Sequence, residues 1–582
     1  MAKERTIPTS QPSDLATFKL FSEGTQVSDI YQVVSIVVTK EVNRISTAQL
    51  TFVDGDPALE DFPLSNAEEF LPGKAIEVHA GYHADEIIIF KGIIVKSSIK
   101  AQKNRTSVFR VMCSDEAVKL TVGRKNKYFY DSKDSDIIQE IASEAGLQTE
   151  IDDTGISHQS MVQYYASDWD FIVSRADAMG MQVFTDDNIL KLKAPDLSAS
   201  PQLSLVFGDN ILAFETEMDS RDQFAGVKAK SWDKANQEII ETESESFNGS
   251  LPGDITPNEL SGIIGLDAFE LNHGGGLKDV ELQAWANAQN IKSKISKVKG
   301  RFQIQGYGNI KPGDMVELSG IGNHFSGNAY VSAVRHEITS ENWITNLGIG
   351  ISRKWFSEET QGIVDPRASG LLPAVNGLQV GIVTALEGDP DGEFRVQVRM
   401  PLIDRSEGVW ARVALLDAGN NRGSFFRPEI EDEVVLGFMN DDPRNPIILG
   451  MLHSSAKPSP VDPADDNHEK GFVTRSEMKL MFDDDKKVIR IETPNGNTLT
   501  FSDDEGKMEI TDENNNKMTM DSSGILMESA ADITIKANGD INIEGTSISL
   551  KAQANFKAEG SAGSEVSSGA MTEIKGSLVK IN

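Results

Sequence analysis

The apolar residues near the C-terminus alternate strictly with polar ones. Residues 532–552, DITIKANGDINIEGTSISLKA, contain three short pieces, each with two apolar side chains two positions apart. The pairs are Ile533/Ile535, Ile541/Ile543 and Ile548/Leu550. Side chains at this spacing share one face of a β-strand, so the pattern predicts strands rather than a helix. A lone ribbon would leave its apolar stripe in water, and another layer must therefore cover it.

The first 370 residues combine alternating strands with helices. Residues 15–125 alternate between turn-rich breaks, as in IEVHAGY and IIIFKGIIVKSSI, which predicts a small antiparallel β-barrel. Residues 126–370 are expected to hold helices plus a second β-barrel. Helical spacing predicts helices over 137–147, from Ser167 or Asp168 to Gly180, and over 277–298. The segment 1–14 is expected to be flexible.

Two linkers separate the remaining regions. The first linker is expected at 371–377, within DPRASGLLPAVNG, and the second at 456–471. Residues 378–455 between them carry five strand-like runs, which predict a closed barrel of OB type. Residues 472–582 read as strand and turn throughout, and Asn495-Gly496 is suited to a type I′ turn between two strands.

Composition narrows the possible partners. A chain of 582 residues is expected to divide into about three to five domains. Its formal net charge of −33 disfavours nucleic acid and anionic membranes as partners. Cys113 is the single cysteine, which excludes an intrachain disulfide and a CxxC metal site. The start of the chain lacks the apolar region of a signal peptide, so we expect a soluble protein made in the cytoplasm.

Several short motifs suggest chemistry but lack the residues to complete it. DPDG (389–392) begins like a calcium loop without the later ligands, and HEITS (336–340) lacks the second histidine of a zinc protease. HGGG (273–276) has no G-x-S-x-G nucleophile elbow to accompany it. Acidic pairs such as those in NDDPRNP and SDDEGK are ordinary turn formers, and His79 and His83 have no carboxylate cluster beside them. We therefore predict no catalytic residues, no metal and no cofactor.

Two stretches resemble the VgrG family of contractile injection spikes. Residues 162–184, VQYYASDWDFIVSRADAMGMQVF, look like the family's hub signature, in which a helix led by Ser-Asp-Trp-Asp-Phe packs under a barrel. Residues 392–454 look like its OB domain, with WARV, PEIEDEVVLGF and DDPRNPIILG. The resemblance implies a mainly β fold with a hub of two β-barrel domains and a few helices, an OB-fold barrel, and an intertwined trimeric β-helix or β-prism. This arrangement of domains is similar to that of phage tail hub and spike proteins fused into one chain.

The resemblance also implies a function without catalysis. It suggests a structural homotrimer that couples an inner tube protein and baseplate components to a membrane-puncturing needle, and that leaves the cell with its particle. A PAAR-type tip protein, with effector cargo as an option, is the implied partner at the needle end, and nucleic acid is not expected. The predicted docking residues for this tip are Ile574, Leu578, Val579, Ile581 and Asn582. No lysozyme domain fits between the OB barrel and the needle, because residues 455–471 are too few.

A trimer would also cover the apolar stripe of residues 532–552. If three copies lie side by side, each stripe faces the other two across a threefold axis. The apolar pairs recur about every ten residues up to 528 and about every eight from 530, so the needle is expected to narrow toward its tip. Two alternatives stay open: a tailspike-like trimer that binds or degrades glycan, and a passive adhesin or baseplate scaffold. The sequence does not distinguish a type VI system from an extracellular particle or a phage tail.

Overall fold

The computed structural model describes residues 16–103, 105–406 and 408–581. The chain divides into two compact units, one formed by residues up to 376 together with 438–443 and the other by residues 377–437 together with 444 onward. Strands dominate both units, which confirms the mainly β prediction. The expected flexible segment 1–14 lies outside the described residues. Among the described residues, no helix is both long and apolar enough to cross a membrane.

The first unit contains 21 strands and five α-helices among its described residues. The strands of its first part are β1 (Ala16–Ser22), β2 (Thr25–Gln26), β3 (Val33–Glu41), β4 (Thr47–Val53), β5 (Ala75–Tyr82), β6 (Asp85–Lys100), β7 (Val108–Ser114), β8 (Lys125–Lys133), β9 (Gln148–Ile151), β10 (Ser157–Ala166), β11 (Gln182–Asp186) and β12 (Ile189–Lys193). Those of its second part are β13 (Leu203–Val206), β14 (Ile211–Met218), β15 (Val227–Asp233), β16 (Glu238–Glu243), β17 (Phe269–His273), β18 (Val298–Gln305), β19 (Met315–Ser319), β20 (Gly327–Thr339) and β21 (Trp343–Ile349).

One sheet of 13 strands runs through both parts of this unit. Its main path is β14-β18-β21-β20-β3-β4-β7-β6-β5-β1-β2, and β13 and β19 join it at β20. Two apolar cores lie along it. One includes Ile36, Leu50 and Phe90, and the other includes Phe302 and Leu347. The two regions predicted as barrels share one sheet, joined where β3 pairs with β20.

Three of the five helices lie where the helical spacing predicted them. The helices are α1 (Asp134–Glu144), α2 (Asp168–Ala178), α3 (Pro257–Ile264), α4 (Asp279–Ile295) and α5 (Phe356–Glu359). The predicted ranges correspond to α1, α2 and α4, whereas α3 and α5 were not predicted. The Ser167 hydroxyl accepts a hydrogen bond from the Asp170 N–H at 3.1 Å, and this cap is the reason why α2 begins where it does.

A buried ion pair joins α1 to α2. The Arg175 guanidinium donates to both carboxylate oxygens of Asp134, at 2.7 and 2.9 Å, and His158 Nε2 lies 2.8 Å from the same carboxylate. Asp134 is buried, so these partners replace the hydration that its charge has lost. The surrounding core packs Trp169 and Ile172 of the predicted hub signature against the apolar side of α1.

The second unit begins with a closed five-stranded barrel. Its strands are β22 (Gln379–Ala385), β23 (Val396–Arg399), β24 (Val409–Val413), β27 (Glu433–Phe438) and β28 (Pro446–Met451), in the order β22-β23-β24-β28-β27. The short strands β25 (Ala418–Gly419) and β26 (Arg422–Gly423) pair as a hairpin. The interior is filled by alternate side chains such as Val383, Val398 and Leu436, all fully buried. These five strands confirm the predicted OB-type barrel.

A seven-stranded antiparallel sheet follows the barrel. Its strands, each paired with the next, are β29 (Glu469–Val473), β30 (Lys479–Asp483), β31 (Val488–Glu492), β32 (Thr498–Ser502), β33 (Lys507–Thr511), β34 (Lys517–Asp521) and β35 (Gly524–Glu528). Residues 529–581 form no strand in this single chain. The strands suggested by the alternation in 532–552 stay a prediction, because a strand ladder requires a neighbouring segment to pair with.

Candidate functional site: the apolar face of the C-terminal sheet

The C-terminal sheet is built from a repeated hairpin. The strands β29, β31 and β33 begin at residues 469, 488 and 507, which are 19 residues apart. The strands β30, β32 and β34 begin at residues 479, 498 and 517, with the same spacing. Two strands and two turns thus form one unit of the sequence. A register slip of one residue in any unit would move its apolar side chains to the opposite face.

The turn between β31 and β32 differs from the predicted type. The Gly496 N–H donates to the Thr493 carbonyl at 2.9 Å, and the Thr493 N–H donates to the Asn497 carbonyl at 3.0 Å. Gly496 has φ of +90°, whereas Asn495 has a negative φ, so the type I′ prediction is wrong. Pro494 has its φ fixed near about −65° and occupies the first central position, so the loop closes over three residues with Gly496 in the left-handed position.

Strand register aligns the apolar side chains in two columns on one face. The first column contains Phe472, Leu480, Ile491, Leu499, Ile510, Met518 and Met527. The second contains Phe482, Ile489, Phe501, Met508, Met520 and Ile525. Direct cross-strand neighbours of this kind stabilise a sheet. We call these two columns the apolar ladder.

The apolar ladder is not covered by its own chain. Ile491 is 44% exposed, Ile510 is 49% exposed and Ile525 is 67% exposed. A contiguous apolar surface of this kind marks an interaction site in soluble proteins. The ladder therefore requires a covering layer from outside the single chain.

The opposite face of the sheet is mostly polar and carries ion pairs, although Met481 and Leu526 also lie on it. Lys517 Nζ lies 2.7 Å from the Glu509 carboxylate, and Arg490 Nη2 lies 3.2 Å from that of Glu492. Thr500 lies between Arg490 and Glu509 in the register. These pairs are only partly exposed, and they keep the charged groups of this face compatible with water. The sheet thus presents one face to a partner and the other to solvent.

The tail beyond the sheet continues the same exposure. The six apolar residues that form pairs in the tail are all exposed: Ile533, Ile535, Ile541, Ile543, Ile548 and Leu550. The predicted tip residues Ile574, Leu578, Val579 and Ile581 are also exposed, and no buried core includes them. Asn582, the fifth predicted tip residue, lies outside the described residues. The docking role of these five residues stays a prediction.

The calcium-like loop is filled by an arginine. Asp389 accepts hydrogen bonds from the backbone N–H groups of Asp391, Glu393 and Arg395 and pairs with the Arg395 guanidinium. The same guanidinium reaches Asp391 at 2.5 Å. These contacts hold the pKa of Asp389 below its ordinary value, with the Arg395 side chain as the largest cause. Within the described ranges, no group of three or more His, Cys, Asp and Glu side chains could hold a metal ion.

The histidines of the other tested motifs have local partners. His336 is fully buried, its Nδ1 lies 2.9 Å from the Thr345 hydroxyl, and burial lowers its pKa to about 3. His273 Nδ1 lies 3.0 Å from the Gly275 carbonyl within HGGG. His79 Nε2 lies 3.0 Å from the Glu77 carboxylate. Each of these histidines therefore has a structural role in its own strand or turn.

Two family models match the chain. Residues 12–340 match the Alg8 N-terminal domain. Residues 379–453 match the type VI secretion system/phage-baseplate injector OB domain. The second match covers the five-stranded barrel.

Curated relatives extend the likeness along the chain. The type VI secretion system spike protein VgrG1b of Pseudomonas aeruginosa is 22% identical over 486 residues, which cover 77% of this chain and 62% of the relative. VgrG1c of the same organism is 23% identical over 498 residues, which cover 78% of this chain and 65% of the relative. The chain thus spans less than two thirds of the length of either protein.

A solved structure is also similar. The E. coli c3393 protein, described as a component of the type VI secretion system with structural similarity to T4 bacteriophage tail proteins gp27 and gp5, is 14% identical, with a TM-score of 0.40 over 75% of this chain and 100% of that one. By its match over residues 12–340 the chain belongs to the Alg8 N-terminal domain family, and by its OB-domain match and its spike-protein relatives it is similar to the VgrG family of contractile injection spike proteins.

Proposed function

We propose that the protein is the structural central spike of a contractile injection machine and acts as a homotrimer without catalysis of its own. The apolar ladder carries this proposal, because a sheet with thirteen apolar side chains on one uncovered face needs a partner of matching length and pattern. A second and a third copy of the same chain supply that pattern. Closed cyclic assemblies of identical chains are the usual form of soluble oligomers.

Three copies also suit the tail. Its exposed pairs, such as Ile541 and Ile543, share one face and would meet across a threefold axis, while polar residues stay in water. Strands that pair between copies leave few open edges. Such interwound strands cannot separate one at a time, which favours slow unfolding under load. A needle driven through an envelope needs this resistance.

The remaining parts of the proposal concern partners and location. The first unit would dock on the inner tube protein and baseplate components, and the OB barrel would form a collar above the needle. The exposed residues Ile574, Leu578, Val579 and Ile581, with Asn582, would receive a PAAR-type tip and any effector cargo. The chain would be made in the cytoplasm and leave the cell with the particle.

A glycan-binding or glycan-degrading trimer is the alternative. Such sites use aromatic platforms and a pair of carboxylates in a groove. Residues 472–582 contain four phenylalanines and no tryptophan or tyrosine, and Phe472, Phe482 and Phe501 belong to the apolar ladder. These rings are therefore committed to the proposed trimer. Release of reducing ends from peptidoglycan or polysaccharide, above a denatured control, would favour the alternative.

Light scattering of the purified chain tests the trimer. One chain has a mass of 63.5 kDa, so the expected mass of the assembly is about 190 kDa, three times that value. A mass of one chain at micromolar concentration would contradict the proposal. Electron microscopy of tube particles would then separate a spike from a passive scaffold, since only a spike places its density at the end of the tube.

A further inference from the structure

The β6–β7 hairpin concentrates positive charge in an acidic protein. From Ile87 to Ser114 the chain has six Lys and Arg residues and no Asp or Glu, although the formal net charge of the whole chain is −33. Five of the six cations lie between residues 96 and 110, which we call the basic tip. The sixth, Lys91, is paired with Glu77 at 3.0 Å. The basic tip thus stands apart from the rest of the surface.

Strand register places three cations of the basic tip, Lys96, Lys100 and Arg110, on one face. Ser98 of β6 lies opposite Arg110 of β7, and Lys96 and Lys100 flank Ser98 two positions away on the same face. Arg110 is therefore a diagonal neighbour of both lysines, at about 7–8 Å between backbone positions. The alternate residues Phe109 and Val111 point into the barrel core, so the charged face points outward.

The cations of the basic tip have no carboxylate partner among the described residues. The structure describes no ion pair for Lys96, Lys100, Lys103, Arg105 or Arg110, whereas Lys91 of β6 and Lys119 beyond β7 are each paired with a glutamate. The Arg110 Nε is buried and has no acceptor. Like charges this close repel one another, and the fold provides no compensation. The arrangement points to carboxylates that come from outside the chain.

An acidic counterpart lies on the same barrel. Residues 45–73, which we call the acidic segment, contain six Asp and Glu residues and no Lys or Arg. Three of the six, Asp54, Asp56 and Asp61, accept backbone hydrogen bonds inside the loop. Glu60 and Glu68 are exposed and have no ion pair among the described residues. The loop of this segment begins after β4 and lies beside the hairpin turn, where the Asp54 N–H donates to the Ser107 carbonyl, so both surfaces lie at the same end of the sheet.

We propose that the basic tip of one copy docks on the acidic segment of a neighbouring copy. This inference rests on the proposed trimer and adds a second interface to it, in the first unit rather than in the needle. A contact between two different surfaces of identical chains closes into a ring when the rotation allows it. Each copy then contributes one basic tip and one acidic segment, so that every basic tip in the ring contacts an acidic segment of the next copy. Complementary charges of this kind set register and assembly rate.

Carbodiimide cross-linking of mixed-isotope trimers tests the docking. Chains labelled with nitrogen-14 and nitrogen-15 are folded together, and the reagent joins lysine amines to carboxylates that are in contact. We expect peptides that join residues 96–105 of one label to residues 45–73 of the other. Their yield should fall at least fivefold in 1 M salt, where charges are screened over about 3 Å.

Charge reversal sharpens the test. The yield should fall similarly in K96E/K100E and in E60K/E68K, and should recover when the four changes are combined, because the charges are then exchanged. The matched control is K234E/K278E, which reverses two exposed lysines that have no ion pair among the described residues and lie outside the basic tip. This control should keep the wild-type yield.

Three results would overturn the docking. One is cross-links of the basic tip only within a single chain. Another is mixed-label cross-links in the needle with none from the basic tip, which would leave the trimer intact and remove only this interface. A third is cross-linking of the tip to a different particle protein. A preparation that runs as a single chain would instead contradict the proposed trimer itself.

Discussion

Leu499 of β32 and Ile510 of β33 lie directly opposite each other on the apolar face of the C-terminal sheet, and Ile510 is nevertheless 49% exposed. The two side chains cover part of each other but leave their outer surfaces to water. The same is true along the whole apolar ladder. A sheet that repeats this arrangement over seven strands favours contact with another sheet over a monomeric state.

A charge on the apolar ladder should prevent assembly. We expect Ile491→Asp to lose the trimer, because an unpaired carboxylate at the threefold interface would be desolvated without a partner. The control is Thr500→Asp, which places the same group on the polar face of the neighbouring strand, next to Arg490. Light scattering measures the mass. A trimer in both variants would show that the apolar ladder is not the interface.

The Asp134–Arg175 pair should behave as one unit. We expect Asp134→Ala and Arg175→Ala each to lower the free energy of unfolding by up to about 3–5 kcal/mol, because each removes the bidentate partner of a buried charge. Only His158 would then remain beside Asp134, and only Glu281, 3.5 Å away, beside Arg175. The double variant should lose less than the sum of the two, by about 1–3 kcal/mol. Denaturant unfolding followed by fluorescence gives the four values of the cycle. Additive losses would mean that the two side chains act independently.

His336 should make the first unit sensitive to acid. Burial lowers its pKa to about 3, whereas the unfolded value is about 6.5. Between these values the unfolded chain binds a proton that the folded chain does not, so the free energy of unfolding falls as the pH drops, by up to about 1.4 kcal/mol per pH unit.

A second buried group works in the opposite direction. Burial raises the pKa of Asp115 to about 6, so its folded form keeps a proton that the unfolded chain has lost, and acidification stabilises it. The contribution of His336 is therefore isolated by comparing wild type with His336→Gln. We expect the variant to lose less stability between pH 6.5 and 4.5, measured by denaturant unfolding with tryptophan fluorescence. Equal losses in the two proteins would rule out His336 as the source.

Removal of residues 574–582 should separate the needle from its tip. The proposed trimer would depend on the apolar ladder and on the pairs up to residue 550, so the truncated chain should keep its mass in light scattering. The proposed docking residues would be gone, and capture of a PAAR-type protein should fall at least tenfold. Undiminished capture by a trimeric truncated chain would show that these residues only complete the needle.

Local patterns identified most of the elements. The alternation around Ile489 and Ile491 predicted a strand and the face that its side chains share, and the structure has both. Helix α3 was missed although its signals are present: Thr256 and Glu259 form a capping box, Pro257 opens the helix and Gly265 ends it. Its eight residues are too few for a clear period. The turn at Asn495-Gly496 differs from the prediction because Pro494, with its fixed negative φ, precedes this pair and takes the first central position of the turn.

The sequence by itself determined the strands of the barrel and of the C-terminal sheet and which of their faces are apolar, because these features depend on neighbours a few positions away. Only the tertiary structure showed that β3 and β20 join two cores into one sheet, pairing Val38 with His336, and that Arg175 neutralises Asp134. Contacts between residues so far apart in the chain leave no periodic trace. The uncovered apolar ladder and the unpaired basic tip could not be recognised from the sequence for the same reason. A surface is known to lack a partner only when the contacts of the folded chain are known.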